Sequence, residues 1–247
     1  FRRTDLSESV QHSLRLRMVQ LHRELGDLSF DQGSVQLSDN EYRIFEFRYR
    51  FENGHGIQPH FADLTLQHAN SFTRLSLNGV YRRYISPTRL VRVRAFAGIF
   101  LENTYPADEK YYNFGLSGTA DYMFDYYFLG RSDEKGIWNR QFFVSDGGVK
   151  EQTDVFANAW MTAANVQVPL VRWINYYVDG ALYQNDGTVS SYWGHGIALN
   201  LITDFFEIYM PLPNKDRFFT TPYSERIRFV LNLDLDEAFH RISRGQI

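Results

Sequence analysis

With no cysteine in its 247 residues, the chain has no thiolate nucleophile, disulfide or cysteine-ligated zinc, and its chemistry rests on histidines, carboxylates, guanidiniums and hydroxyls. One local group invites a hydrolase reading: His195 beside Trp193, with Asn200 a few residues on. A girdle or loop histidine is the preferred reading, and no nucleophile elbow accompanies the group. His55 and His60 bracket Gly54-His55-Gly56-Ile57-Gln58-Pro59-His60. Two imidazoles are too few for a metal, and these read as solvated turn residues. There is no His-Glu-x-x-His, phosphate loop or dinucleotide fingerprint, so neither a catalytic residue nor a cofactor is expected.

The remaining charged residues recur at every second position opposite apolar ones. Arg15, Arg17, Glu46, Arg48, Arg50, Arg74, Arg92, Arg94, Asp121, Asp125 and Asp179 all fall on the polar side of such alternations. Asp121, Asp125 and Asp179 beside Arg74, Arg92 and Arg94 suggest a selectivity ring or a proton-active pair. A salt-bridge network that fills and stiffens a narrow barrel is the preferred alternative. The net charge of −3, with signs mixed along the chain, marks no nucleic-acid face.

The elements that would position these charges are strands. Period-two alternation marks segments at about 13–25, 41–52, 57–69, 72–85, 89–102, 113–128, 136–145, 154–168, 173–184, 193–203, 205–213 and 226–234. The segment 89–102 sets Val91, Val93, Ala95, Ala97, Ile99 and Leu101 against Arg92, Arg94 and Glu102. The segment 113–128 carries the strongest signal, with Phe114, Leu116, Ala120, Tyr122, Phe124, Tyr126 and Phe128 opposite Ser117, Thr119, Asp121 and Asp125.

About twelve strands and no apolar run long enough for a membrane helix predict an all-β fold, a transmembrane antiparallel β-barrel. A soluble ligand-binding barrel alternates too. Strand length favours the membrane, as do aromatics placed as an interfacial girdle: Tyr42, Tyr81, Tyr84, Tyr122, Tyr126, Trp160, Trp173, Tyr176 and Tyr192.

Long connections are expected near 26–40, 103–112, 146–153, 185–192 and 214–225, and short ones near 53–56, 86–88, 169–172 and 204. This puts both termini on the periplasmic side. The exceptions are a short connection at 69–71 and a longer one at 129–135. One domain spans 1–247, ending in a tail, 234–247, with helical character. The expected setting is a bacterial outer membrane, with lipid, lipopolysaccharide and other envelope proteins as partners. A small-solute channel is the alternative to an anchor.

Two stretches, Thr119 to Ser132 and Trp193 to Leu212, the latter followed by Glu225 to Leu233, resemble the C-terminal barrel region of large Bacteroidota outer-membrane proteins identified as M1-like, or gluzincin, metallopeptidases. The resemblance covers roughly the latter half of the chain. It implies a peptidase-like domain upstream of Phe1 with this chain as its membrane anchor. The zinc motif of that family has no matching positions here.

Overall fold

A computed structural model describes residues 2–3, 10–29, 34–54, 58–86, 89–105, 111–117, 122–123, 125, 136–202, 206–213 and 223–231, of which 2–3, 21–29, 34–41 and 202 through their backbone alone. β-branched and aromatic residues on alternating positions fit a pleated surface, and the strands follow them: β1 (Arg2–Arg3), β2 (Val10–Ser29), β3 (Ser34–Asn53), β4 (His60–Ala69), β5 (Phe72–Ser86) and β6 (Arg89–Asn103). After a two-residue pair of strands, β7 (Phe114–Gly115) and β8 (Phe156–Ala157), the chain continues with β9 (Trp160–Val171), β10 (Ile174–Asn185), β11 (Thr188–Ile202), β12 (Phe206–Pro211) and β13 (Arg228–Leu231).

Among the described residues these form one eleven-stranded antiparallel sheet in the order β1-β2-β3-β4-β5-β6-β9-β10-β11-β12-β13, with β7 and β8 paired apart. The large sheet is a meander: each strand lies beside its sequence neighbour except β6, which waits for β9. The chain is therefore all-β, as expected, and within the described residues β1 and β13 are the two edges.

The sheet is strongly curved, concave on its charged face. Arg92 of β6 and Glu207 of β12 lie 3.5 Å apart although three strands stand between theirs. In a flat sheet four steps of about 4.8 Å would separate the two strands by roughly 19 Å. The two side chains and the gap span at most roughly 16 Å with bonds of about 1.5 Å, and they would point along the sheet normal. Only curvature brings them together.

The described residues of 104–159, the excursion between β6 and β9, fold back against that concave face. Their backbone knits itself together: Gly147 N–H donates to Gly115 O at 2.9 Å, Val149 N–H to Leu116 O at 3.0 Å and Leu116 N–H to Val155 O at 3.0 Å. Tyr112, Phe114, Leu116, Tyr122, Met123 and Val149 are buried and pack against Phe72, Phe96, Phe100 and Met161 of the sheet. The main hydrophobic core thus lies between this insert and the wall.

Here the sequence expectations need correction. Of the described residues of the segment 113–128, namely 113–117, 122–123 and 125, only Phe114–Gly115 pair as a strand, and apart from the large sheet. Neighbours of both parities, Asn113, Phe114, Leu116 and Ser117, are all buried, so the alternation reflects enclosure on every side and not a two-faced strand. The segment 136–145 holds a 3-10 turn at Trp138–Arg140 and meets the sheet through one isolated parallel bridge, Gln141 to Phe229. The connection expected at 26–40 is mostly strand, since β2 runs to Ser29 and β3 starts at Ser34. That expected at 185–192 is a tight turn in which Asp186 and Gly187 both adopt positive φ, 47° and 75°, the geometry an Asp-Gly hairpin demands.

The expected asymmetry of the connections holds only for the longest of them, because the tight turns at 70–71 and 186–187 lie at the end expected to carry long loops. At one end of the strands lie 54–59, 87–88, 172–173 and 203–205. The two longest excursions, 104–159 and 212–227, leave from the other end. The tail at 234–247 lies outside the described residues.

The insert approaches the wall so closely that only glycine fits. A methyl group on Gly148, at φ +63°, would overlap Arg94 Nη1 of β6 and stand 2.6 Å from Asn165 Oδ1 of β9, and within the insert one on Gly147 would stand 2.7 Å from Leu116 Cα. Gly148→Ala is predicted to lift the insert from the sheet, producing new protease cleavage within 104–159 while the strand signal in circular dichroism is kept. An unchanged digestion pattern would contradict this packing.

Candidate functional site

Side chains on the sheet's two faces are sorted by parity. Along β6, Ala95, Ala97, Ile99 and Leu101 are exposed while Arg94, Phe96 and Phe100 are buried. The same inversion runs through β2 and β3, where Leu14, Leu16, Met18, Phe45, Phe47 and Tyr49 are exposed and Arg15, Arg17 and Arg48 face the insert. In the stretches His12–Gln20, Phe45–Asn53, His60–His68, Leu75–Tyr81, Val91–Leu101, Trp160–Leu170, Tyr176–Gln184, Val189–Leu201 and Phe206–Met210, the outward positions carry no Asp, Glu, Lys or Arg.

On the concave face the largest cluster joins β2 and β3 to the insert. Register pairs Arg15 with Arg48 and Arg17 with Glu46, an arrangement short of negative charge. Asp125 of the insert supplies it. Arg15 lies 3.0 Å from Glu46 and 3.3 Å from Asp125. Arg17 lies 3.4 Å from Glu46 and 3.0 Å from Asp125, and Arg48 3.2 Å from each. Burial pushes the Asp125 carboxyl up, but the hydrogen bond from Arg17 and the charges of Arg48, Arg17 and Arg15 outweigh it and hold the group below the ordinary aspartate range.

From Glu46 a hydrogen-bonded chain leads across the wall. Gln67 donates to Glu46 at 2.7 Å, while Arg74 Nε and the Tyr122 hydroxyl both donate to Gln67 Oε1 at 2.7 Å. Burial keeps the Tyr122 phenol protonated, its pKa raised well above the usual tyrosine value.

A second cluster joins the insert to β6, β9 and β10. Arg94 donates to the carbonyls of Ser145 and Asp146 and to Asn165 Oδ1, each at 3.0 Å. Buried Asp179 accepts from Lys150 Nζ at 2.8 Å, from Lys150 N–H at 2.9 Å and from Asn165 at 3.0 Å. Further round, Glu151 accepts from Tyr192 at 2.9 Å and from Arg226, and Arg228 donates to Gln141 O at 2.8 Å.

The expected charged residues are thus on one face, but with other partners than the sequence suggested. Asp125 meets Arg15, Arg17 and Arg48 rather than Arg74, Arg92 and Arg94. Arg74 faces Asp146 at 3.7 Å, Arg92 faces Glu207 and Arg50 faces Glu52 at 3.3 Å and Asp63 at 3.6 Å. Asp121 lies outside the described residues.

Sequence reasoning missed Lys150, Glu151 and Asp146, which sit in irregular backbone with no periodicity to assign them a face. Glu207 was within reach, since it alternates with Phe206 and Ile208. The expected girdle is also revised. Tyr122 and Tyr192 are buried and bonded inward, and Tyr42 packs against Tyr112 at 5.4 Å, whereas Tyr81 and Trp173 are exposed. Tyr126 lies outside the described residues.

The hydrolase cluster does not form. His195 is on the outward face, stacked on Trp193 and hydrogen-bonded to Tyr176 at 3.0 Å, while Asn200 is on the inward face accepting from Gln167 at 3.2 Å. His55 lies outside the described residues. Among the described residues no three His, Asp or Glu side chains converge as metal ligands.

Taken together, these features define an all-β protein whose sheet turns an apolar face outward and closes its charged face with its own insert. No family model and no curated protein matches the chain.

Glu46 is fully enclosed among three guanidiniums, so Glu46→Ala is predicted to destabilise the fold by about 3–5 kcal/mol, read as a shift in denaturant midpoint. Glu52→Ala, at an exposed pair, is predicted to cost about 0–1 kcal/mol. Asp125 sets the acid limit of the insert's attachment: because its folded pKa is depressed, its contribution is fully present above about pH 4 and is lost as pH falls through the folded value. Insert cleavage by an acid-active protease is predicted to rise below about pH 4, and Asp125→Asn is predicted to show the raised cleavage already at neutral pH.

Proposed function

We propose that the chain is an outer-membrane β-barrel that serves as an anchor, its interior filled by the described residues of the 104–159 excursion, with lipid against the outward face. The observation that carries this reading is the face inversion: a continuous apolar surface is exposed while arginines and carboxylates are enclosed. In water such an arrangement leaves a very large apolar patch uncovered; against hydrocarbon it is the low-energy one.

Dimensions support the reading. From Val91 to Leu101 a strand advances roughly 33 Å at about 3.3 Å per residue, and a tilt of about 40° brings this to a band roughly 25 Å tall, the height expected of such barrels. The curvature demanded by Arg92 and Glu207, and an insert bonded to both β2 and β13, favour closure of the first strands on the last. Among the described residues no helix is long and apolar enough to cross a membrane, and barrels cross with strands.

Termini on the periplasmic side and the long excursions on the outer side complete the reading, as does contact with lipopolysaccharide and other envelope proteins. The resemblance of Thr119 to Ser132 and Trp193 to Leu212 to barrel regions of M1-like proteins supports an anchoring role for a peptidase-like domain elsewhere in a longer protein, and any peptidase chemistry would belong to that domain. A channel would require the insert to leave its ion pairs, so the anchor is preferred.

Ala97→Arg, at the outward middle of β6, tests the reading. A guanidinium facing lipid at the midplane costs about 2–4 kcal/mol, so the variant is predicted to insert poorly into vesicles and to lose stability there. The unmodified chain is predicted to need detergent. A monodisperse monomer in plain buffer, with Ala97→Arg indistinguishable from it, would overturn the proposal.

A further inference from the structure

Between the wall and the insert lies a cavity of about 190 Å³ that the anchoring role does not use. Its floor is a ladder of cross-strand pairs on β4 and β5: Asp63 with Asn78, Thr65 with Ser76, and Gln67 with Arg74. Arg48 and Arg94 stand at its sides, and Tyr122, Asp125 and Asp146 of the insert cover it. The rings of Phe96 and Phe156 add apolar surface. It is not sealed, since the side chains of Arg48 and Asp125 are 26% and 21% exposed.

We propose that this cavity binds a neutral polyhydroxylated solute of monosaccharide size. Three arginines and three aspartates line it, so their formal charges cancel. A bare anion would meet three carboxylates and a bare cation three guanidiniums. What the lining offers instead is donors and acceptors in close alternation, and a hydroxyl is the group that serves both at a single oxygen.

Two atoms of the lining residues ask for such a ligand directly. Asn78 Oδ1 and Arg48 Nε are buried without a hydrogen-bond partner among the described residues, and the Asn78 amide nitrogen is already committed to Asp63; Asp63 Oδ1, which also lacks a hydrogen bond, is answered by the Arg50 charge at 3.6 Å. One acceptor and one donor left open in a polar cavity are matched by a ligand carrying adjacent hydroxyls. Aromatic faces, negative at their centres, suit the C–H side of a sugar ring. Size agrees in order: an apolar cavity of about 150 Å³ accepts benzene, so this one encloses roughly eight non-hydrogen atoms, and the rest of a sugar ring's hydroxyls reach its open side.

The inference does not rest on which solvent meets the outward face, and its test leaves that question aside. The detergent-solubilised full chain is examined by saturation-transfer NMR with glucose and arabinose as probes, and with glycine and inorganic phosphate as comparators. The sugars are expected to receive saturation and to bind with a Kd of about 1 mM or tighter. Asn78→Leu is expected to weaken them about tenfold by removing the open acceptor, with Glu52→Ala, outside the cavity, unchanged. Thr65→Val removes a floor hydroxyl at nearly constant volume and reads the same loss should Asn78→Leu fail to fold by circular dichroism. No transfer to either sugar, preference for glycine or phosphate, or equal binding by the cavity variants would each overturn the proposal.

Discussion

A sheet that encloses its charges must bring counter-charges to them, and here the chain supplies them from within itself. Arg15, Arg17 and Arg48 stand together on neighbouring strands with only Glu46 between them, a surplus of positive charge that the wall alone leaves standing. Asp125, carried in by the insert, completes the set. Because removing ions from water is expensive unless each gains partners, wall and insert are energetically one object. The curvature of the sheet, the placement of the core and the glycines at the contact all follow from that joint burial.

The insert is not held evenly. On the side of β2 and β3 its attachment is made by guanidinium–carboxylate contacts reached partly by solvent, with side chains of Arg15 44% exposed. On the side of β10 to β13 it is made by the buried pair Lys150–Asp179, by backbone bonding of Phe142 to Phe229 and by aromatic packing of Phe142 on Tyr209 at 5.3 Å. Salt and acid therefore act on the first attachment before the second.

Much of this was legible in the sequence, for a physical reason. A strand with two different environments on its faces writes its orientation into every second residue, and Val91 to Leu101 against Arg92 and Arg94 is read without difficulty. Which face is enclosed follows only from length and from the absence of charge on the apolar side. The insert was not legible in the same way. Phe114, Leu116 and Tyr122 alternate with polar residues, yet Asn113 and Ser117 are buried as well, and enclosure on all sides leaves no periodicity to decode. Asp125 was picked out for its charge on a wrong element and with wrong partners, and Lys150 and Glu151 had no pattern at all. The Asp186-Gly187 turn was an available signal overlooked in favour of a longer loop.

The interruption between β6 and β9 divides assembly in time as well as in sequence. Every other junction in the large sheet joins neighbours through a local hairpin or a modest loop, so β2 to β6 can zip from their own turns, as can β9 to β12. Pairing β6 with β9 must instead close a loop that is itself part of the core, and entropy penalises that step until the enclosed residues are in place. The last event in maturation should then be the joining of two preformed meanders around a collapsing filling, a slow, cooperative step set by the longest sequence separation in the sheet.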